Sequence, residues 1–258
     1  MSLPRSLSIA ALSLALGACA SSGGQTAGVK SGAPAEKNDA AELQVKLGRG
    51  YMDKGEFETA HEKLERAIQL DPKSVDAQTL MAVLYERIDR PKLAEKHYQR
   101  AVELDPTDGS TNNNFGAYLC RLGRYDQADT YFQRALDDPF YKTPGAAFSN
   151  AGLCAAQAGN VEKSEAYFRR SLEANPKDTV ALFEMAQSSF RKSDFMRARA
   201  FIQRYEASSQ PDASALDLAA RIEERLGDKA AAAKYRERLK TEFPDYQPGA
   251  ANPESSSP

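Results

Sequence analysis

The chain has 258 residues, and its 34 Lys and Arg residues against 36 Asp and Glu residues give a formal net charge of −2 at pH 7. This balance offers no electrostatic basis for binding nucleic acid, whose phosphates attract strongly basic proteins. The sequence also has no phosphate-binding loop and no HExxH or GxSxG motif. We therefore expect no enzymatic activity, no small-molecule substrate and no metal site.

Residues 1–18 have the features of a bacterial signal peptide. Arg5 supplies one positive charge, and the apolar run at 7–16 is too short to span a bilayer as a helix. The segment leads into the sequence LGAC, of which Cys19 is the last residue. This sequence resembles a lipobox, in which the cysteine thiol takes a diacylglycerol and becomes the mature N-terminus. The alternative is an ordinary signal peptide that happens to contain a cysteine.

The residues after Cys19 predict where the protein is held. Ala20 stands where an aspartate would oppose sorting to the outer membrane in many bacteria. Residues 19–40 are rich in Ser, Gly, Ala, Thr and Pro, which predicts a lipidated flexible tether. We therefore expect a protein anchored to the periplasmic face of the outer membrane. The covalent lipid on Cys19 is its one expected non-protein group, and no cofactor is expected.

A repeat of 34 residues runs from 41 to 246. Most units place small residues at their eighth, twentieth and twenty-seventh positions and a large apolar residue at their twenty-fourth, as Gly48, Ala60, Ala67 and Leu64 do. Small residues let paired helices approach, and large ones fill the space between neighbouring units. The pattern is typical of tetratricopeptide repeats. We predict an all-α solenoid of six helix-turn-helix repeats and a disordered tail, at 41–74, 75–108, 109–144, 145–178, 179–212, 213–246 and 247–258.

A glycine stands between the two predicted helices in four of the units. Glycine adopts the left-handed backbone conformation that ends a helix at the lowest steric cost. The first helix of these units should therefore end at Gly55, Gly123, Gly159 and Gly227.

Two cysteines remain besides Cys19. Cys120 and Cys154 lie on the first helices of the third and fourth units. Helices in such stacks run about 8–10 Å apart, so two facing cysteines can reach the Cα separation of roughly 4.4–6.8 Å that a disulfide needs. An oxidising periplasm favours that bridge. The alternative is a pair of small buried thiols.

The first helix of each unit should line the concave surface through its second, fifth, ninth and twelfth positions. An apolar strip with charged edges there would suit an amphipathic helix or an extended segment of a partner. An asparagine on this face could hydrogen-bond a peptide backbone. The alternative is that these side chains only contact one another across a tight superhelix. The predicted groove residues are Val45, Arg49, Met52, Thr79, Val83, Glu86 and Asn113.

Three segments resemble a known family. They are NNNFGAYLCRLGRYDQAD at 112–129, ALDDPFYKTP at 135–144 and SNAGLCAAQAG at 149–159. The second segment carries a two-residue insertion that generic repeats lack. Together with the lipobox and the six repeats, these segments resemble the type IV pilus biogenesis and stability lipoproteins, the PilF and PilW pilotins.

The resemblance implies an outer-membrane lipoprotein that binds the pilus secretin and promotes its localisation or multimerisation. It further implies a role in pilus assembly and twitching motility, and a disulfide between Cys120 and Cys154. The expected partners are a secretin subunit and, through the lipid, the inner leaflet of the outer membrane, and we expect a monomer. The alternative function is a repeat scaffold for outer-membrane barrel assembly or cell-wall machinery.

Overall fold

Every regular element among residues 34–247, the part of the chain that the computed structural model describes, is an α-helix. The predicted signal peptide, Cys19, most of the predicted tether and the tail from 248 lie outside these residues. The helices are α1 (Pro34–Asp53), α2 (Phe57–Leu70), α3 (Val75–Arg87), α4 (Pro91–Leu104), α5 (Gly109–Arg121), α6 (Tyr125–Asp137), α7 (Pro144–Gln157), α8 (Val161–Ala174), α9 (Thr179–Arg191), α10 (Phe195–Ser208), α11 (Ala213–Leu226) and α12 (Lys229–Glu242).

The helices form six pairs, each made of a first and a second helix. Each second helix also packs on the first helix of the next pair, and successive first helices contact one another from α1 to α11. This arrangement is the α-solenoid that the 34-residue period predicts. The first helices therefore lie side by side as one wall of the molecule.

The repeat boundaries follow the predicted period closely. The predicted units that start at 75, 109, 179 and 213 begin at the first residues of α3, α5, α9 and α11. The largest difference is at the N-terminus, where α1 begins at Pro34 instead of residue 41. The C-terminal part of the predicted tether, residues 34–40, is therefore helical and belongs to α1. Proline suits the first position of a helix, and the alanine, glutamate and lysine that follow favour helix formation.

Small residues in the first helices let the paired helices approach. A Cβ atom added to Gly48 would lie 2.7 Å from the Leu64 side chain, and one added to Gly152 would lie 2.6 Å from the Phe168 ring. Leu64 and Phe168 are themselves buried. The glycines are therefore needed for the close packing of α1 on α2 and of α7 on α8.

The turn between the paired helices has a left-handed residue in all six repeats. Four repeats use the predicted glycines, with φ from 72° to 83°. In the second and fifth repeats Asp89 and Ser193 stand at the same position, with φ of 53° and 61°. The geometry of the repeat therefore imposes this conformation even where the side chain disfavours it.

We expect Ser193→Gly to stabilise the fold and Gly159→Ser to destabilise it, each by about 1 kcal/mol, because only glycine adopts a left-handed backbone without steric strain. No other atom lies within 4 Å of a Cβ built on Gly159, so the second change tests backbone strain alone. Thermal unfolding of both variants measures the effect. Shifts of the same sign in the two variants would contradict the account.

Candidate partner-binding surfaces

The predicted apolar strip of the groove is not accessible. Val45 and Met52 are only 6% and 3% exposed, and both belong to a buried cluster that includes Leu80 and Leu84 of α3. The prediction that they contact a partner is therefore wrong. The first helices of the first two repeats pack so closely that the side chains at these positions fill the space between them.

Two predicted polar groove residues are also engaged within the fold. The Thr79 and Thr111 hydroxyls share a buried hydrogen bond of 3.1 Å between α3 and α5. The Asn150 amide Nδ2 of α7 donates to the Asn113 Oδ1 of α5 at 3.0 Å. Thr79 and Asn113 are each 7% exposed. They join neighbouring repeats, so the prediction that they face a partner is wrong for both.

The remaining predicted residues are at least partly accessible. Arg49 is exposed, whereas Val83 and Glu86 are half-buried. The Tyr98 hydroxyl donates to Glu86 Oε1 at 2.5 Å, and Arg121 forms an ion pair with the same carboxylate. Burial, together with the Glu86 charge, raises the pKa of the Tyr98 hydroxyl. A cavity of about 400 Å³ lies here between α3 and α5. Glu86 and Arg121 in its lining already pair with each other, so neither charge is free for a partner.

Cys120 and Cys154 join α5 to α7. The two residues form a disulfide with a Cα–Cα distance of 5.7 Å, and both are buried. The bridge lies at the junction where the insertion at 137–144 lengthens the loop between repeats. In that loop, Asp138 accepts hydrogen bonds from the backbone N–H groups of Gly109 and Phe140 at 3.0 and 2.8 Å. The junction between the third and fourth repeats is thus fixed from both sides.

The outer face of α1 exposes two leucines. Leu43 and Leu47 occupy the third and seventh positions of the first repeat and are 55% and 38% exposed. In each later repeat these positions are 3% exposed or less. They pack against the preceding repeat there, as Phe115 stacks with Tyr98 of α4 at 5.5 Å and Met185 clusters with Phe168 of α8. Among residues 34–247 no helix occupies the equivalent place beside α1.

The other end of the solenoid is covered differently. Ala232 is the one buried residue of α12, and the rest of that helix is mostly charged or half-buried. A polar outer face is the usual way for a terminal repeat to end a solenoid in water.

The leucines of α1 were not singled out from the sequence, although a comparison of the third and seventh positions of the repeats would have found them. Every later repeat places a smaller residue, alanine or threonine, at the third position.

Both histidines have packing partners in the first two repeats. His61 Nε2 lies 2.9 Å from the Tyr85 hydroxyl, and His97 Nδ1 lies 2.7 Å from Gln78 Oε1. Burial, with Lys96 and His61 nearby, lowers the pKa of His97.

In the described part of the chain, no three potential metal ligands cluster together. No helix of that part has both the length and the apolar character needed to cross a membrane.

Comparison with known proteins assigns the fold to a family. Tetratricopeptide repeats match residues 45–109 and 115–179, which together make up half of the chain, and a second such match covers 97–130. The chain belongs to the tetratricopeptide repeat family.

Individual tetratricopeptide proteins match over most of their length. The type IV pilus assembly protein PilF of Pseudomonas aeruginosa is 29% identical over 214 residues, which cover 82% of this chain and 85% of PilF. The solved structure of that PilF superposes with a TM-score of 0.77 at 28% identity, covering 82% of this chain and 95% of its own. PilW, a widely conserved type IV pilus biogenesis factor, gives a TM-score of 0.72 at 31% identity, with 80% and 95% covered. The resemblance to the PilF and PilW family is thereby confirmed.

We expect the double change Cys120→Ser and Cys154→Ser to lower the free energy of unfolding of this tetratricopeptide protein by about 4 kcal/mol, the chain-entropy value for a loop of this length. The bridge closes a sequence separation of 34 residues. Urea unfolding of wild type with and without a reducing agent, beside the double variant, measures the effect. Reduction should reproduce the loss in wild type and leave the variant unchanged. Alkylation of both thiols in protein isolated from cells without a reducing agent would contradict the bridge.

Proposed function

We propose that this protein is an outer-membrane lipoprotein that binds the secretin of the type IV pilus and promotes its localisation or multimerisation, supporting pilus assembly and twitching motility. The similarity to PilF and PilW across four-fifths of the chain carries this proposal. The LGAC sequence that ends at Cys19 and resembles a lipobox supports membrane anchoring. Several acyl chains hold a protein on a membrane stably, whereas a single chain gives only marginal binding. The protein acts as a monomeric scaffold and does no chemistry of its own.

We place the secretin-binding surface on the outer face of α1. Leu43 and Leu47 occupy the positions that every later repeat covers with a second helix of its neighbour. A helix of the secretin could take that place, at the interaxial distance of roughly 8–10 Å usual for packed helices. Apolar anchors spaced four residues apart are the usual contacts of a helix docked on a hydrophobic surface. The buried strip at Val45 and Met52 cannot serve this purpose.

Replacing both Leu43 and Leu47 by Asp should abolish heat-resistant secretin multimers in outer-membrane fractions, while secretin monomers remain present. Both side chains are exposed, so the solenoid should keep its helicity and melting temperature. Leu93→Asp is the matched control, because Leu93 is 41% exposed on α4, away from the end of the solenoid. Blots of fractions from cells that carry each variant measure the result.

Wild-type multimer levels with the double α1 variant would remove this surface from the proposal. If deletion of the whole gene also leaves the multimers unchanged, the secretin function itself is wrong. A scaffold for outer-membrane barrel assembly or cell-wall machinery would then take its place.

Cys19→Ser should release the protein into the soluble periplasmic fraction, because the thiol that carries the lipid is lost. Cell fractionation with labelled palmitate measures both the anchor and the modification. Twitching motility should fall in the same cells. A variant that stays in the membrane fraction and supports full motility would contradict the lipid anchor.

A further inference from the structure

A second concave cavity lies near the other end of the solenoid. It has a volume of about 320 Å³, at the lower end of the range for ligand pockets, and lies between the first helices α9 and α11. Tyr246, after the end of α12, closes one side of the cavity, and its hydroxyl hydrogen-bonds with Ser214. The other lining residues are Phe183, Gln187, Phe190, Arg191, Asp217, Leu218 and Arg221.

Two arginine guanidinium groups flank a pair of aromatic rings at this end of the solenoid. The Arg221 guanidinium lies 4.8 Å from the centre of the Phe190 ring, and that ring meets Phe195 edge-on at 5.5 Å. Arg225 in turn lies 4.4 Å from the centre of the Phe195 ring. Stacking on an aromatic face holds a guanidinium in place without neutralising its charge. The two arginines of α11 are therefore oriented before any ligand arrives.

Two arginines, Arg191 and Arg221, and one carboxylate, that of Asp217, line the cavity. Arg221 forms an ion pair with the Asp217 carboxylate at 3.4 Å, and about half of the Arg221 side chain is exposed. Arg191 donates to the neutral Gln187 amide at 3.1 Å, and both Arg191 and Arg225 are exposed. Among the ion pairs of the described residues, none includes Arg191 or Arg225, although the Arg191 charge opposes the rise that burial causes in the pKa of the neighbouring Glu184 carboxyl. In the α3 and α5 cavity, by contrast, Glu86 already neutralises Arg121.

We propose that the cavity between α9 and α11 binds an extended protein segment that carries carboxylates beside aromatic or large aliphatic side chains. An apolar side chain of the segment fills the space against Phe183 and Phe190. A neighbouring carboxylate accepts hydrogen bonds from Arg191 and Arg221, whose forked donors match its two oxygens. This site is separate from the α1 face, so the protein can hold two different segments at once.

Fluorescence anisotropy with labelled peptides tests the proposal on the purified mature chain. The probe is a peptide in which aspartates alternate with phenylalanines. One comparison peptide has lysines in place of the aspartates, and the other has serines in place of the phenylalanines. Both comparison peptides should bind at least about tenfold more weakly than the probe, because each loses one half of the recognition.

Variants of the two lining arginines locate the binding. The pair Arg191→Ala and Arg221→Ala should raise the Kd of the probe about tenfold or more. The charge reversal Arg191→Glu and Arg221→Glu should transfer the preference to the lysine peptide. Arg100→Ala is the matched control, since Arg100 is an exposed arginine of α4 paired with Glu103. It should leave binding unchanged.

The double α1 variant with Leu43→Asp and Leu47→Asp separates this site from the secretin surface, and it should bind the probe as wild type does. Three results with the peptides and the arginine variants would overturn the proposal. They are equal affinity for the lysine peptide, wild-type affinity in the arginine variants, and no saturable binding of the probe at millimolar concentration. Loss of binding in the α1 variant alone would also overturn it, because the segment would then dock at the other end.

Discussion

Packing of each first helix on the preceding repeat is the interaction on which the rest of the structure depends. A single helix pair cannot bury its apolar face, so each repeat is stable only through its neighbours. The residues at the third and seventh positions provide this contact in five successive repeats, from Ala77 and Met81 to Ala215 and Ala219. The first repeat has the same positions with nothing on them among the described residues. Leu43 and Leu47 are exposed because no preceding repeat covers them among the described residues.

The fold could be predicted from the sequence because its signals are local and periodic. The repeat period predicts the starts of five of the six first helices to within one residue. Accessibility of the groove could not be predicted in the same way, because it depends on the distance between neighbouring first helices. Val45 and Met52 have the sequence features of an apolar binding strip, but in the structure they are buried in the core. Asn113 was likewise predicted to bind a peptide, but it binds Asn150.

The two ends of the solenoid differ in their chemistry. The α1 end exposes two leucines at positions that every later repeat covers, whereas α12 covers the other end with charged residues. The concave cavity beside α11 adds oriented arginines on aromatic rings. The disulfide between α5 and α7 joins the two halves at the junction where the repeat spacing changes. A partner helix at one end and an acidic segment at the other would therefore be held at a fixed separation.

Hydrogen exchange of α1 in the presence of the secretin tests the central claim most directly. A terminal helix with one uncovered face opens more readily than an internal one, so its amides should exchange quickly in the free protein. If a secretin helix covers Leu43 and Leu47, exchange should slow across α1 and α2, while α9 to α12 keep their rates. Unchanged exchange in α1, with slowing elsewhere along the solenoid, would contradict the account and place the secretin on another surface.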